Sequence, residues 1–239
     1  NLVANNTRDG ILVGGPGSLS ALTENTLRNN GELGIDLDVT GVINGDGVTP
    51  NDVGDPDIGG NNGQNHPLLS AVTRDASSVT ANVSLNGLAN TTFRIRYCLI
   101  VSADSSGRGE CDIPVVGIVQ TLTTDASGNA SGTSPSLPYT AGAIGLTATA
   151  GRVAGAFEET SEFSPVVPIL VRTALTIDAD QPDPSTVGQP FNVTVSVASA
   201  DAALTATGAV AVTAAGAGSC NAVLVAGTGS CQLTGTAAG

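Results

Sequence analysis

NLVANNTRDGILV (residues 1–13) and NTLRNNGELGIDL (residues 25–37) are two copies of one pattern. At a constant offset of 24, Asn1 matches Asn25, Val3 matches Leu27, Asn5-Asn6 matches Asn29-Asn30, and Gly10-Ile11 matches Gly34-Ile35. The shared motif is N-x-[VL]-x-N-N, a short polar turn, then G-I-x-[VL]. Its apolar residues alternate, as a half-buried strand requires. Asn tolerates left-handed turns and can stack in hydrogen-bonded ladders from one copy to the next. A repeat this short is one coil of a solenoid. Two coils do not enclose a core, and about three or more are needed. Further coils upstream, or a neighbouring molecule stacked on residues 1–13, would supply the rest. Alternatively, the two copies are β-arches that cap the next domain. Gly14-Gly15-Pro16-Gly17 has neither the Lys nor the following helix of a phosphate loop, and reads as a coil-to-coil turn.

The second copy runs into DLDVTGVINGDGVTPNDVGDPDIGGNNGQNH (residues 36–66), which has no apolar periodicity. It holds Asp36, Asp38, Asp46, Asp52, Asp55 and Asp57 with several Asn between them. A loop of this length is uncommon in a compact unit unless something orders it. Ca²⁺ takes six to eight oxygens from carboxylates, amides and backbone carbonyls, so these six Asp are the candidate metal ligands. Asn44-Gly45-Asp46-Gly47 is like part of a calcium loop, without the full EF-hand spacing or its bidentate Glu. The competing reading is a solvated acidic linker.

From Pro67 onward, strand signals come at regular intervals: 68–73, 78–85, 92–101, 115–123, 143–150 and 164–171. Turn-formers separate them, among them Asn86-Gly87 and the run from Asp125 to Asn129. This spacing predicts an antiparallel β-sandwich. Phe93, Ile95 and Tyr97 face one side, which puts Arg94 and Arg96 on the solvent face. Residues 173–239 carry the turn Asp183-Pro184-Ser185 ahead of an alternating strand at 191–197, then two Gly-Ser-Cys motifs at 218–220 and 229–231. About five strands in 67 residues are too few for an Ig-like sandwich. An open edge is expected, completed by a strand from another molecule or by a longer chain.

Three stretches together resemble a known class of protein. The 24-residue repeat is similar to the rungs of a right-handed parallel β-helix, as in bacterial surface proteins and polysaccharide lyases. The run from Gly31 to Val72, with the segments at 90–95, 123–129 and 160–164, resembles the passage from β-helix to β-sandwich in large bacterial β-helix-repeat surface proteins. The segment from Asp183, with its paired Gly-Ser-Cys motifs, resembles a bacterial Ig-like repeat. The resemblance implies a secreted or surface-displayed protein whose sandwich has no known catalytic centre.

Composition sets limits independently. The chain has 239 residues, a net charge of −13, no Met or Trp, and eight basic residues that are all Arg. No basic stripe exists to neutralise phosphates, so nucleic acid is excluded as a partner. No apolar run of eighteen residues exists to insert in a membrane. Without Met, residue 1 is not a translation start, and the chain reads as processed or as a fragment. Cys98/Cys111 and Cys220/Cys231 are two local pairs without zinc spacing. They predict two disulfides, each stabilising by roughly 2–3 kcal/mol, in an oxidising compartment; four buried thiols are the alternative. His66 is the only His and stands in a Gly/Asn-rich loop, where a structural or solvated role outweighs a catalytic one. Glu158, Glu159 and Glu162 read as a solvated turn.

The expected fold is therefore all-β: terminal coils of a parallel β-helix (1–38), an acidic linker (39–66), an antiparallel β-sandwich (67–172) and a partial Ig-like sandwich (173–239). The expected function is that of a non-enzymatic extracellular structural protein, a surface stalk, adhesin arm, or filament or sheath subunit. It would assemble with other copies of itself or with neighbouring domains of a longer chain, by strand addition or end-to-end stacking. The alternative is the non-catalytic C-terminal part of a β-helix polysaccharide-degrading enzyme, or a carbohydrate-binding protein with surface polysaccharide as partner.

Overall fold

A computed structural model describes residues 1–15, 19–41, 45–155 and 157–236. Pro16 and Gly17 of the expected coil-to-coil turn, and Asn44 of the calcium-like stretch, lie outside the described residues. The chain is all-β, and its described part forms two compact units, Asn1–Thr73 with Ser77–Leu170, and Arg74–Ala76 with Val171–Gly239.

The first unit opens with two coils. Strands β1 (Leu2–Ala4) and β2 (Ile11–Val13) belong to the first, and β3 (Thr26–Arg28) and β4 (Ile35–Leu37) to the second. β1 stacks in parallel on β3 with Val3 opposite Leu27, and β2 stacks in parallel on β4 with Ile11 opposite Ile35. The register is the 24-residue offset of the sequence repeat. Side chains follow it: the Asn1 amide donates to Asn25 (3.0 Å), the Asn6 amide to Asn30 (2.8 Å), and Arg8 pairs with Glu32 (3.4 Å). Val13, Leu27, Ile35 and Leu37 meet between the two small sheets.

Behind the coils lies a two-sheet sandwich. Its strands are β5 (Leu68–Arg74), β6 (Ser78–Asn86), β7 (Thr92–Ile100), β8 (Ile113–Pro114), β9 (Gln120–Thr123), β10 (Asn129–Thr133), β11 (Leu137–Pro138), β12 (Gly145–Ala154), β13 (Phe157–Thr160), β14 (Val167–Pro168) and β15 (Leu170–Val171). One sheet runs β10-β6-β5-β15 with β11 also on β6, and the other runs β13-β12-β7-β8 with β9 on β7 and β14 on β12. Alternating residues fill the space between them. Val79, Ala81, Val83 and Leu85 of β6 face Phe93, Ile95, Tyr97 and Leu99 of β7 and Leu146, Ala148 and Ala150 of β12.

The other face of β7 and β12 is also covered. Cys98 of β7, Cys111 and Phe163 complete the apolar cluster of the coils. Thr147 and Thr149 of β12, which alternate as a solvent face would, are buried. The exposed face expected for β7 is thus modified: Arg94 is half-exposed, whereas Arg96 is mostly covered.

In the second unit β16 (Thr173–Gln181), β17 (Pro190–Ser199) and β20 (Thr228–Thr234) form one sheet, and β18 (Gly208–Ala214) and β19 (Gly218–Leu224) another. Val193 and Val195 of β17, Ala222 and Leu224 of β19 and Leu233 of β20 make its core. Cys220 of β19 is bonded to Cys231 of β20, so this disulfide links the two sheets. The outer strand β16 leaves Leu175 and Ile177 exposed.

Candidate functional site

The residues of greatest chemical interest lie where the coils, the loop after β4 and the segment after β13 meet. The segment FEETSEFS (157–164) forms that seam. A polar run of this kind reads as a solvated turn, and the structure overturns that reading: Glu159 is 1% and Glu162 2% exposed, and Ser161 and Ser164 are fully buried. Buried carboxylates are costly unless paired or hydrogen-bonded, and each one here has partners. Glu158 takes Arg94 (3.2 Å) and Arg96, and Glu159 takes Arg152. Glu162 accepts from Leu37 N through Oε1 and from Thr49 N through Oε2, both at 3.1 Å. Burial nevertheless pushes its carboxyl up to about 7. The Ser161 and Ser164 hydroxyls accept from Ala150 N (2.9 Å) and Ala148 N (3.1 Å), so they stand in for strand carbonyls beside β12.

Two devices fasten the second coil to the sandwich. Leu27 and Cys111 exchange both backbone hydrogen bonds, at 2.9 and 2.8 Å, and the Cys111–Cys98 disulfide ties that point to β7. Glu110 ends the amide ladder: its Oε1 accepts from Asn30 Nδ2 (2.5 Å) and from Asn30 N (3.0 Å). The carboxylate occupies the place that the next coil's Asn would take.

Asn side chains order the long loop. Asn51 brackets the backbone of His66, donating to its carbonyl (2.8 Å) and accepting from its N–H (2.9 Å). Asn61, at positive φ and fully buried, accepts from Ser20 N and donates to Ser20 O and Thr160 O. Asn65 accepts from Asp52 N and donates to the carbonyls of Asp52 and Asn86. Each amide offers a donor and an acceptor and so imitates a neighbouring strand. His66 is buried, and its Nδ1 lies 3.2 Å from Pro67 O while Nε2 takes Arg108 (2.5 Å). With Arg108 as donor, Nε2 is the acceptor and Nδ1 carries the proton. Desolvation holds the ring down to about 4, so it is neutral at physiological pH with both nitrogens engaged.

The six candidate metal ligands are divided. Asp36 sits in β4, 1% exposed, with its pKa raised to about 6 by burial and by the charges of Asp9 and Asp46. Asp46 is exposed and accepts from Val39 N (3.3 Å). Asp38 is buried and closes its own turn, Oδ1 accepting from Thr40 N (2.9 Å) and Gly41 N (2.7 Å). Asp52, Asp55 and Asp57 form a second group, in which burial raises Asp55 to about 6 against the Asn65 N–H it accepts, and also raises Asp57. Asp9, which lies outside the acidic loop, joins the first group. Its place in the repeat, opposite Leu33, is the signal that would have found it. Among the described residues, no three Asp, Glu, His or Cys side chains stand ready-arranged as a metal centre. All four Cys are paired as expected.

Beside the second acidic group lies an open groove of about 500 Å³ whose lining includes Asn51, Asp52, Leu68, Ser84 and Asn129. No helix among the described residues is long and apolar enough to cross a membrane, which leaves strand-built spans untouched. The two disulfides fit a compartment outside the reducing cytoplasm. Compared with known proteins, the chain matches no family model and no curated sequence.

Proposed function

We propose that this chain is a structural module of an extracellular protein, in which a β-helix stack ends on a β-sandwich cap. The observation that carries this reading is the constant 24-residue register. Backbone pairs, the Asn1–Asn25 and Asn6–Asn30 amides and the Arg8–Glu32 ion pair all repeat at one separation, and Glu110 terminates the ladder. Such a stack extends by adding coils, and it bears load through repeated hydrogen bonds. Among the described residues, β1 and β2 are each paired on one side only. That leaves strand edges for further coils of the same pattern, from a longer chain or from another copy. The exposed outer strand β16 offers a second edge for strand addition. A surface stalk, adhesin arm, or filament or sheath subunit uses these properties, and a bacterial β-helix surface protein with an Ig-like repeat is the family proposed. The buried Ser, His and Glu groups of the seam are engaged with backbone groups or arginines, which supports a role without catalysis.

Negative-stain microscopy with light scattering on the purified chain tests the assembly. Concentration-dependent end-to-end oligomers, lost on placing a Pro in β1, are the expected result. A monomer at every concentration would remove self-assembly and leave only extension within one longer chain.

A second reading, a carbohydrate-binding module, is favoured by the open groove, where Asn, Ser and Asp stand beside Leu68 and Leu85. Retention on insoluble polysaccharide that falls with Asn129→Ala would support it. Passage through unretained would dismiss it.

A further inference from the structure

We propose that the second unit takes up an extended strand from a separate polypeptide, one with apolar residues at alternate positions and a basic residue beyond them. Strand register shows the place. Residues directly opposite each other on antiparallel strands point to the same face of the sheet. Ile177 of β16 stands opposite Val195 of β17, and Leu175 stands opposite Val197. Val195 points into the core and is 1% exposed, and Val197 packs against the same cluster. Leu175 and Ile177 therefore point to the core side as well, yet they are 58% and 64% exposed. The core face of β16 is bare.

The order of strands accounts for the gap. β16, β17 and β20 adjoin in one sheet, and β18 and β19 in the other. A tight turn closed by the Val225–Thr228 bridge, with the Cys220–Cys231 disulfide, holds β19 beside β20. Around the core the order is thus β16, β17, β20, β19, β18, and among the described residues no strand closes the ring between β18 and β16. β18 is paired on one side only, and its Val210 and Val212 already pack against the cluster. A strand hydrogen-bonded to the free edge of β18 would lay its own alternate apolar residues over Leu175 and Ile177, with main-chain bonds for affinity and side chains for specificity.

β16 also sets the charge of the occupant. The register shifts between Ile177 and Ala179, and beyond the shift Asp180 stands opposite Val193, another core residue. Asp180 is therefore the next side chain on the bare face, and it is exposed. Two apolar residues followed by a carboxylate match a strand that offers two apolar residues followed by Lys or Arg. A second copy is a poor donor. This chain has no Lys and a net charge of −13, and it holds Arg74, Arg94, Arg96 and Arg152 in ion pairs of its own. Like-charged copies repel, whereas a basic strand is drawn in. The inference rests on the strand-addition part of the functional reading and names the strand that the gap admits.

The test is fluorescence anisotropy of labelled synthetic peptides of about ten residues titrated with the full chain. In one peptide Val and Thr alternate and a Lys follows the last Val; a second has the reverse order, and a third has Glu in place of Lys. One of the two Lys peptides binds saturably and slows hydrogen exchange of Gly208–Ala214, and the Glu peptide binds more weakly. Ile177→Ser, at a position exposed enough to spare the fold, weakens binding about tenfold. Asp180→Asn weakens it about threefold, and Val223→Ser, on the exposed face of β19, leaves it unchanged. Undiminished binding in Ile177→Ser overturns the site. Equal binding of the Glu peptide overturns the basic partner and leaves strand addition standing. Failure of all three peptides overturns both. Dimers of the chain alone that Ile177→Ser dissolves would make the occupant a second copy, and so also overturn the proposal.

Discussion

Glu162 joins three parts of the chain through one carboxyl group, accepting from Leu37 in the second coil and from Thr49 in the loop while lying next to Phe163 of the coil cluster. Its pKa, raised from 4.5 to about 7, makes the seam sensitive to pH. A carboxyl raised on folding contributes stability that is full below its unfolded pKa and is lost as pH rises through the folded one. Glu162 therefore favours the folded unit near pH 4.5 and ceases to do so above about pH 7, an effect on the order of 1–3 kcal/mol. His66 works in the opposite sense: its ring is lowered from 6.5 to about 4, so its contribution is present above pH 6.5 and is lost as pH falls through 4. Denaturant titrations at pH 5.5 and pH 8 should show Glu162→Gln with a smaller loss of stability over that span than the unsubstituted chain. An unchanged loss would contradict the assignment. Glu110 makes a simpler case. Glu110→Ala strands the Asn30 N–H and amide in a buried place, at a cost of about 1–3 kcal/mol, read as a shift of the denaturation midpoint. Neither Glu was legible in the sequence. Local polarity marks a residue as solvated unless a distant segment covers it, and the covering coil lies more than 70 residues away for Glu110 and over 100 for Glu162.

At the scale of elements, apolar alternation located strands well where only one face matters. β5, β6 and β7 begin at the expected residues, 68, 78 and 92. Of the single strand expected at 115–123 only β9 (Gln120–Thr123) forms, with β8 (Ile113–Pro114) just before the span, and β10, β11 and β13 carry no apolar signal strong enough to mark them. β12 shows why: its Thr147 and Thr149 alternate like a solvent face, yet both are buried, and Thr147 donates its hydroxyl to Ser164 O. The coils were legible for the opposite reason. A repeat encodes its own partner, so the offset that aligns the sequence also sets the register. The loop's Asp stand out in the sequence, whereas its Asn do the ordering, because amides that replace strand partners leave no periodic trace. The Cys98–Cys111 bond belongs to this scale. It anchors the exchange of hydrogen bonds between Leu27 of β3 and the sandwich. Replacing both residues with Ser should cost about 2–3 kcal/mol. It should also expose residues 1–38 to limited proteolysis before the sandwich is cut; simultaneous cleavage of both would show that the bond does not serve the coils.

The whole molecule is two compact units, each with a disulfide and an apolar cluster of its own. Separate cores unfold as separate cooperative blocks, so calorimetry should resolve two transitions. Cys220→Ser with Cys231→Ser should lower only the one belonging to the second unit, and a matching fall in the other would deny the division. The coils contribute no third block, because their core is finished by Cys98, Cys111 and Phe163 of the sandwich. Two coils too few to fold alone thus become part of a unit that caps them. Hydrogen exchange read by mass spectrometry measures it directly. Amides of Thr26–Arg28 and Ile35–Leu37 should be protected and open together with those of β7 and β12. Exchange of those coil amides at the rate of an unfolded chain, while β7 and β12 stay protected, would contradict it.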